Sequence, residues 1–172
     1  MRTTLTVALG GLVASAPALA ATLEVNVEIP RLNVAEYHRP YVALWVEGAD
    51  GKAAANLSVW YQHKDTAEGH GTKWLPDLRQ WWRKSGRTLT VPVDGITGPT
   101  RPAGKHALSF SDRSAQLRNL AAGQYVLVAE SSREVGGREV LRIPFSWKTA
   151  GASSGSAKGD VELGEVRLSV RP

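Results

Sequence analysis

Short runs in which apolar and polar residues alternate recur along most of this chain, and turn clusters separate them. A period of two lets an extended segment bury one face and wet the other, so this pattern selects strands over helices. Thr22–Ile29 sets Leu23, Val25, Val27 and Ile29 against Glu24, Asn26 and Glu28. Tyr41–Val46 is apolar with β-branched and aromatic residues, and Gly48-Ala49-Asp50-Gly51 ends it. Asn56–Gln62 alternates Leu57, Val59 and Tyr61 against Ser58, Trp60 and Gln62, which puts Trp60 on the opposite face from Leu57 and Val59. Tyr125–Ala129, Val140–Trp147 and Val161–Val170 follow, the last with Val161, Leu163, Val166, Leu168 and Val170 inward across a bulge at Gly164. The Gly, Ala and Ser run from Gly151 to Gly159 reads as a flexible hairpin loop. Strands of this length at this spacing predict a mainly β fold, an immunoglobulin-like antiparallel β-sandwich. The Leu120–Tyr125 step has the look of an immunoglobulin-like corner, without the cysteines of that fold.

One helix interrupts the alternation. From Trp74 to Lys84, the residues Trp74, Leu75, Leu78, Trp81 and Trp82 share an arc of about 120° at helical periodicity. Asp77, Arg79, Gln80, Arg83 and Lys84 face outward. Pro76 fits the first turn, and Ser85-Gly86 ends the helix. The helix lies in a long insert, about 66–113, between strands. Long connections on a rigid scaffold are where function concentrates.

The first 20 residues read as an export signal: Arg2, an apolar Leu5–Val13 run and the small-residue cleavage site Ala18-Leu19-Ala20. The apolar run is too short to span a bilayer, and no later segment is long and apolar enough. The expected product is a periplasmic domain, 21–172, not membrane-spanning after cleavage. There is no cysteine, which excludes thiolate metal sites, iron–sulfur clusters and disulfides. Without Arg2 the chain carries 20 basic and 16 acidic residues, a net +4 with no dense basic run. Export and the missing basic stripe argue against nucleic-acid binding. No Gly-x-Ser-x-Gly elbow and no phosphate-cradling Gly-x-Gly-x-x-Gly after a strand is present, so the chain is not expected to be an enzyme alone.

Within the insert, Asp94-Gly95-Ile96-Thr97-Gly98-Pro99-Thr100 admits two readings from its residues. Asp-Gly and Gly-Pro are turn dipeptides, so it can be a plain loop. It also resembles the flavinylation motif of periplasmic FMN-carrying proteins: Asp, two variable residues, Ser or Thr, Gly, a small residue, then the acceptor Thr. In those families a magnesium-dependent FAD:protein FMN transferase moves FMN from FAD onto the Thr hydroxyl. A phosphoester forms, the pyrophosphate bond breaks and AMP leaves. The resemblance implies Thr100 as acceptor and FMN as covalent cofactor. An acceptor must reach into another protein's active site, so an exposed loop is expected. Gly98 would permit close approach and unusual dihedrals, and Asp94 and Thr97 would hold the loop through side-chain to backbone bonds. Arg101, with Lys105 and His106, could pair with the flavin phosphate. Pro99 departs from the usual Ala; it is stiff and removes a donor.

The stretch Gly69–Arg83, followed by Asp94–Arg101, resembles an uncharacterised periplasmic family, domain of unknown function twenty-two seventy-one. That resemblance implies an extracytoplasmic flavoprotein partnered by the FMN transferase and a PepSY-type membrane protein, in systems tied to iron acquisition. The six tryptophans offer flat partners for an isoalloxazine ring. By position on the helical arc, Trp74 and Trp82 read as core, while Trp81 at its edge is a candidate flavin shield. Among the histidines, His70 in Gly69-His70-Gly71 is the most readily exposed. His63 and His70, with Tyr61, could also approach a metal or haem iron. The competing expectation is a non-enzymatic binding module for haem, a metal complex, a glycan or a partner protein, held by the Trp-rich helix and the His70 loop. A purely structural domain, its helix capping a sheet edge, is the third.

Overall fold

A computed structural model describes residues 20–67 and 69–171. The expected signal peptide and its cleavage site lie, Ala20 excepted, outside the described residues. Among the described residues, nine strands form two sheets: β1 (Thr22–Ile29), β2 (Tyr41–Glu47), β3 (Ala53–Tyr61), β4 (Thr97–Pro99), β5 (Gly104–Ser111), β6 (Gly123–Ser132), β7 (Arg138–Trp147), β8 (Ser153–Lys158) and β9 (Glu165–Arg171). One sheet has the order β5-β1-β9-β8 and the other β4-β3-β2-β6-β7. The fold is therefore mainly β, two sheets in a sandwich-like arrangement. Every pair is antiparallel except β3–β4, which is parallel. Tyr125 Oη donates to the Ala121 carbonyl at 3.0 Å.

The parallel pair explains the insert. Strands that pair in parallel need a crossover of a dozen or more residues, and a helix is the usual way to make one. Residues 62–96 form that crossover and carry a 3-10 helix (Gly71–Asp77) and a short α-helix, α1 (Arg79–Lys84). The insert is shorter than the sequence suggests, because β4 and β5 fall inside 66–113 and belong to the two sheets. It also covers a sheet face rather than an edge. Leu75, Leu78 and Trp81 pack on Ala43, Trp45, Val59, Tyr61 and Val128, making a second apolar layer on the outer face of the five-stranded sheet. The first core lies between the sheets and includes Leu23, Val25, Leu44, Leu57, Trp60, Phe145, Trp147 and Leu168.

Four local expectations change. The single helix is two, hinged at Leu78 (φ −75°, ψ 70°). Upstream of the hinge the tighter 3-10 winding stacks residues three apart, so Leu75 and Leu78 point inward and Trp74 is turned out, 39 % exposed. Trp81, expected at the edge of the arc, is wholly enclosed, and its Nε1 donates to Asn56 Oδ1 at 2.8 Å. In β3 the alternation breaks where Leu44 faces Ser58 while Trp45 faces Asn56. That bulge leaves Leu57 unpaired and flips the strand, so Leu57 and Trp60 share the inter-sheet core while Val59 and Tyr61 face the insert. The Gly/Ser-rich run is no floppy loop: Ser153–Lys158 is β8, paired with β9. Beyond it, Val161 is exposed and β9 begins only at Glu165, so Gly164 precedes the strand instead of bulging within it.

Buried carboxylates fasten the insert. Glu130 on β6 is fully buried and accepts the backbone N–H groups of Gln80 (3.0 Å) and Trp81 (2.8 Å), where α1 has no capping side chain of its own. Arg138 Nη1 completes it at 3.0 Å. Glu47 on β2 receives Trp45 Nε1 at 2.9 Å, Lys84 Nζ at 2.8 Å and Arg142. Burial opposes ionisation of Glu47, but the bonds from Arg142, Lys84 and Trp45 outweigh it and hold the carboxyl below its ordinary value. A folded-state value below the unfolded one gives stability that is complete above the unfolded value, about 4.3, and is lost as pH falls through the folded value. Thermal melts between pH 7 and pH 3 are therefore expected to fall more steeply below about pH 4.3 for the native chain than for Glu47→Gln. Parallel profiles would contradict this.

Candidate functional site

The Asp94–Thr100 segment is a turn leading into an edge strand. Gly95 takes φ +72°, a conformation costly for any other residue, and Ile96 and Thr97 N–H both donate to the Val93 carbonyl. The Thr97 hydroxyl donates to that carbonyl at 3.0 Å and accepts the Val93 N–H at 3.1 Å. Thr97 thus holds the turn as its motif position suggests, whereas Asp94 stands exposed at the corner. The chain then runs along β3: Val59 N–H donates to Ile96 O at 2.8 Å and Thr100 N–H to Tyr61 O at 3.1 Å. Even-numbered residues therefore face the ladder and odd-numbered ones face out. Pro99 falls on the outward side, where its missing N–H costs no ladder bond. An ordered edge strand replaces the expected exposed loop, and Pro99 suits it.

Gly98 has no left-handed φ, contrary to the expectation of unusual dihedrals. A Cβ there would meet Trp60 Cδ1 at 3.8 Å, an ordinary contact, so packing does not require glycine at this position.

Thr100 lines a cleft of about 590 Å³ between the sandwich and the 3-10 helix. Clefts of this size suit small ligands and cofactors. Its aromatic lining comes from Tyr37, Tyr41 and Trp74. Trp74 and Tyr37 are each 39 % exposed and so have ring surface to offer, with Lys73 Nζ 4.7 Å from the Trp74 ring centre. Tyr41 Oη donates to the Gly71 carbonyl at 3.0 Å, and burial pushes its phenol up, keeping it neutral. The other side of the cleft is polar. His38 stands between Glu36 (2.7 Å) and Glu134 (3.4 Å). Arg133 is buried and grips Glu162 with two bonds, at 2.9 and 3.0 Å. At the tip of the same β6–β7 hairpin Val135 is 72 % exposed with φ +53°, a strained conformation for a β-branched residue.

Of the residues singled out in the sequence, Asp94, Thr97, Gly98 and Thr100 come together, and Thr100 alone of them lines the cleft. The others are elsewhere. Trp81 has no exposed ring face, which removes it as a flavin shield; Trp74, read as core, takes the open position. His70 is outside the cleft, its Nδ1 2.5 Å from Asp65 Oδ1, and His63 packs at a tilt against Tyr61, 4.4 Å between ring centres. Arg101 does not line the cleft either: its guanidinium lies over the Trp60 ring, 4.3 Å from the centre, and burial lowers its pKa. His106 packs edge-on against the same indole, and Lys105 lines a separate groove with Glu28 and Glu165. Tyr37, His38, Arg39 and Arg133 were not legible as site residues, because the 30–40 connection and the 132–137 hairpin meet only in the fold.

A family model described as a predicted periplasmic protein, DUF2271, matches residues 22–165. The chain belongs to that family. No curated protein and no solved structure matches it. The DUF2271 match opens with β1 and closes at the start of β9, so it takes in both sheets, the crossover insert and the Thr100 strand. Among the described residues no helix is long and apolar enough to cross a membrane.

Proposed function

We propose that this DUF2271 protein is an exported electron carrier with FMN held by a phosphoester to Thr100. The observation that carries the reading is the position of Thr100. Its amide is fixed to Tyr61 O, and its side chain borders a cofactor-sized cleft with free aromatic surface. Gly98 adds to it: the fold does not demand a glycine there, whereas close approach by a modifying enzyme does. Thr100 would hold the group covalently, and Trp74 and Tyr37 would shelter it. FMN exchanges one or two electrons, which the protein itself has no group to do; the chain's part is to bind, orient and shield.

The partners that fit are an FAD:protein FMN transferase, which would install the group, and a PepSY-type membrane protein, which would supply electrons. A ferric complex is one acceptor consistent with a role in iron acquisition. The export signal read from the sequence would carry the acceptor to where such tethering is useful, since free flavin would diffuse away.

Intact-mass analysis of the protein coexpressed with the transferase tests the proposal. A flavin adduct with yellow absorbance is expected on the native chain and none on Thr100→Ala, which keeps the backbone bond to Tyr61. An unmodified native mass, or an adduct that survives the substitution, would overturn it.

A further inference from the structure

With Arg101 stacked on Trp60 and Lys105 in a separate groove, a phosphate attached at Thr100 needs another partner, and the 30–40 connection supplies one. A second groove, of about 490 Å³, is lined by Arg31, Leu32, Tyr37, Arg39, Pro102 and Ala103. It shares Tyr37 and Arg39 with the Thr100 cleft, so the two adjoin. Pro102 is two residues beyond Thr100, which bounds their Cα separation at about 7.6 Å. The groove has no acidic residue in its lining. Both arginines are exposed, and neither makes a salt bridge or side-chain hydrogen bond among the described residues.

The side of the cleft near Asp77 and Arg133 adjoins another pocket. Asp77, Ser132 and Arg133 are shared with a smaller pocket on that side, and there Arg133 is already committed to Glu162. Glu134 faces His38. Arg39 lines both the cleft and the second groove, Arg31 lines the groove, and neither guanidinium is committed to an acid among the described residues. Arg31 and Arg39 line one groove that has no acid in its lining, so both guanidinium groups keep donors free. A guanidinium presents forked donors that match phosphate oxygens.

We propose that Arg31 and Arg39 form an oxyanion subsite that holds the phosphate of a flavin mononucleotide at the Thr100 cleft. The subsite rests on the flavin reading above, but its test does not need covalent attachment. Thr100→Ala protein, which cannot be modified, is titrated with FMN and, separately, with riboflavin, which has the same ring and ribityl chain but no phosphate. Flavin fluorescence and anisotropy report binding. FMN is expected to bind at least tenfold more tightly than riboflavin, with a preference that shrinks as salt rises. In the Arg31→Gln/Arg39→Gln background that preference should vanish while riboflavin binding stays the same. Lysine at both positions should restore part of it, since charge without the fork remains.

Inorganic phosphate separates the sources of the effect. Competition against FMN but not riboflavin supports a phosphate site. Equal binding of the two flavins, no binding of either, or a preference that survives the double substitution would overturn the subsite. The covalent proposal stands or falls separately, on the mass of the coexpressed native chain.

Discussion

Glu130→Ala is expected to cost about 2 to 5 kcal/mol and to loosen the insert before the sandwich. The carboxylate is fully buried, and the N–H groups of Gln80 and Trp81 have no other acceptor at the start of α1. Each buried donor left unmatched costs about 1 to 3 kcal/mol. Arg138 loses its partner too, but its side chain is partly exposed and can turn to water. Glu130→Gln should lie between the two, because the amide keeps one acceptor but replaces the other with a clashing donor. Urea unfolding followed by circular dichroism measures the total. Hydrogen exchange locates it: amides of 71–84 should lose protection first, while those of β1 and β9 keep theirs. A loss below about 1 kcal/mol, or uniform loss of protection, would show that apolar packing alone holds the insert. Trp74 and Asp77 belong to this insert, so the substitution also removes one wall of the Thr100 cleft.

Why the sequence shows the sandwich but not the cleft follows from the range of the forces involved. Alternation in Thr22–Ile29 is local, and it survives unchanged as the buried and exposed faces of β1. Alternation in Asn56–Gln62 is equally local, yet its phase is reset by a bulge that depends on how β2 lies beside it. The Trp74–Lys84 arc identifies the right segment and the right inward residues at Leu75 and Leu78, while Trp81, read at its edge, is enclosed. It fails for Trp74 because the winding changes at Leu78, and the carboxylate that starts the second helix comes from Glu130, about fifty positions on. Thr97 and Gly98 are legible as a motif, but nothing within the motif says that Pro99 lies on the outer side of an edge strand. That requires knowing that β4 pairs in parallel with β3. The cleft is less legible still, since Tyr37, Trp74, Thr100 and Val135 come from four separate connections.

Replacing the two insert tryptophans one at a time should separate packing from binding. Trp81→Ala is expected to cost about 3 to 5 kcal/mol, the range for emptying a buried aromatic site. The ring is wholly enclosed, Gly86 is glycine because a Cβ there would sit 2.5 Å from it, and Asn56 and Ser85 share the polar contacts around its Nε1. Little can collapse into the space, because Trp45 is fixed on β2 and Leu78 is packed in the same buried cluster. Trp74→Ala should change stability by no more than about 0.5 kcal/mol, as expected for a surface position. Its effect belongs to the cleft: the flavin proposed at Thr100 would be quenched by stacking on this indole, so removing Trp74 should brighten flavin emission and expose it to iodide. Trp81→Ala, studied in conditions where it stays folded, should leave the emission near the native level. The opposite pattern, with Trp74 controlling stability and Trp81 the emission, would mean that the single-helix arc read from the sequence describes the insert better than the hinge at Leu78 does.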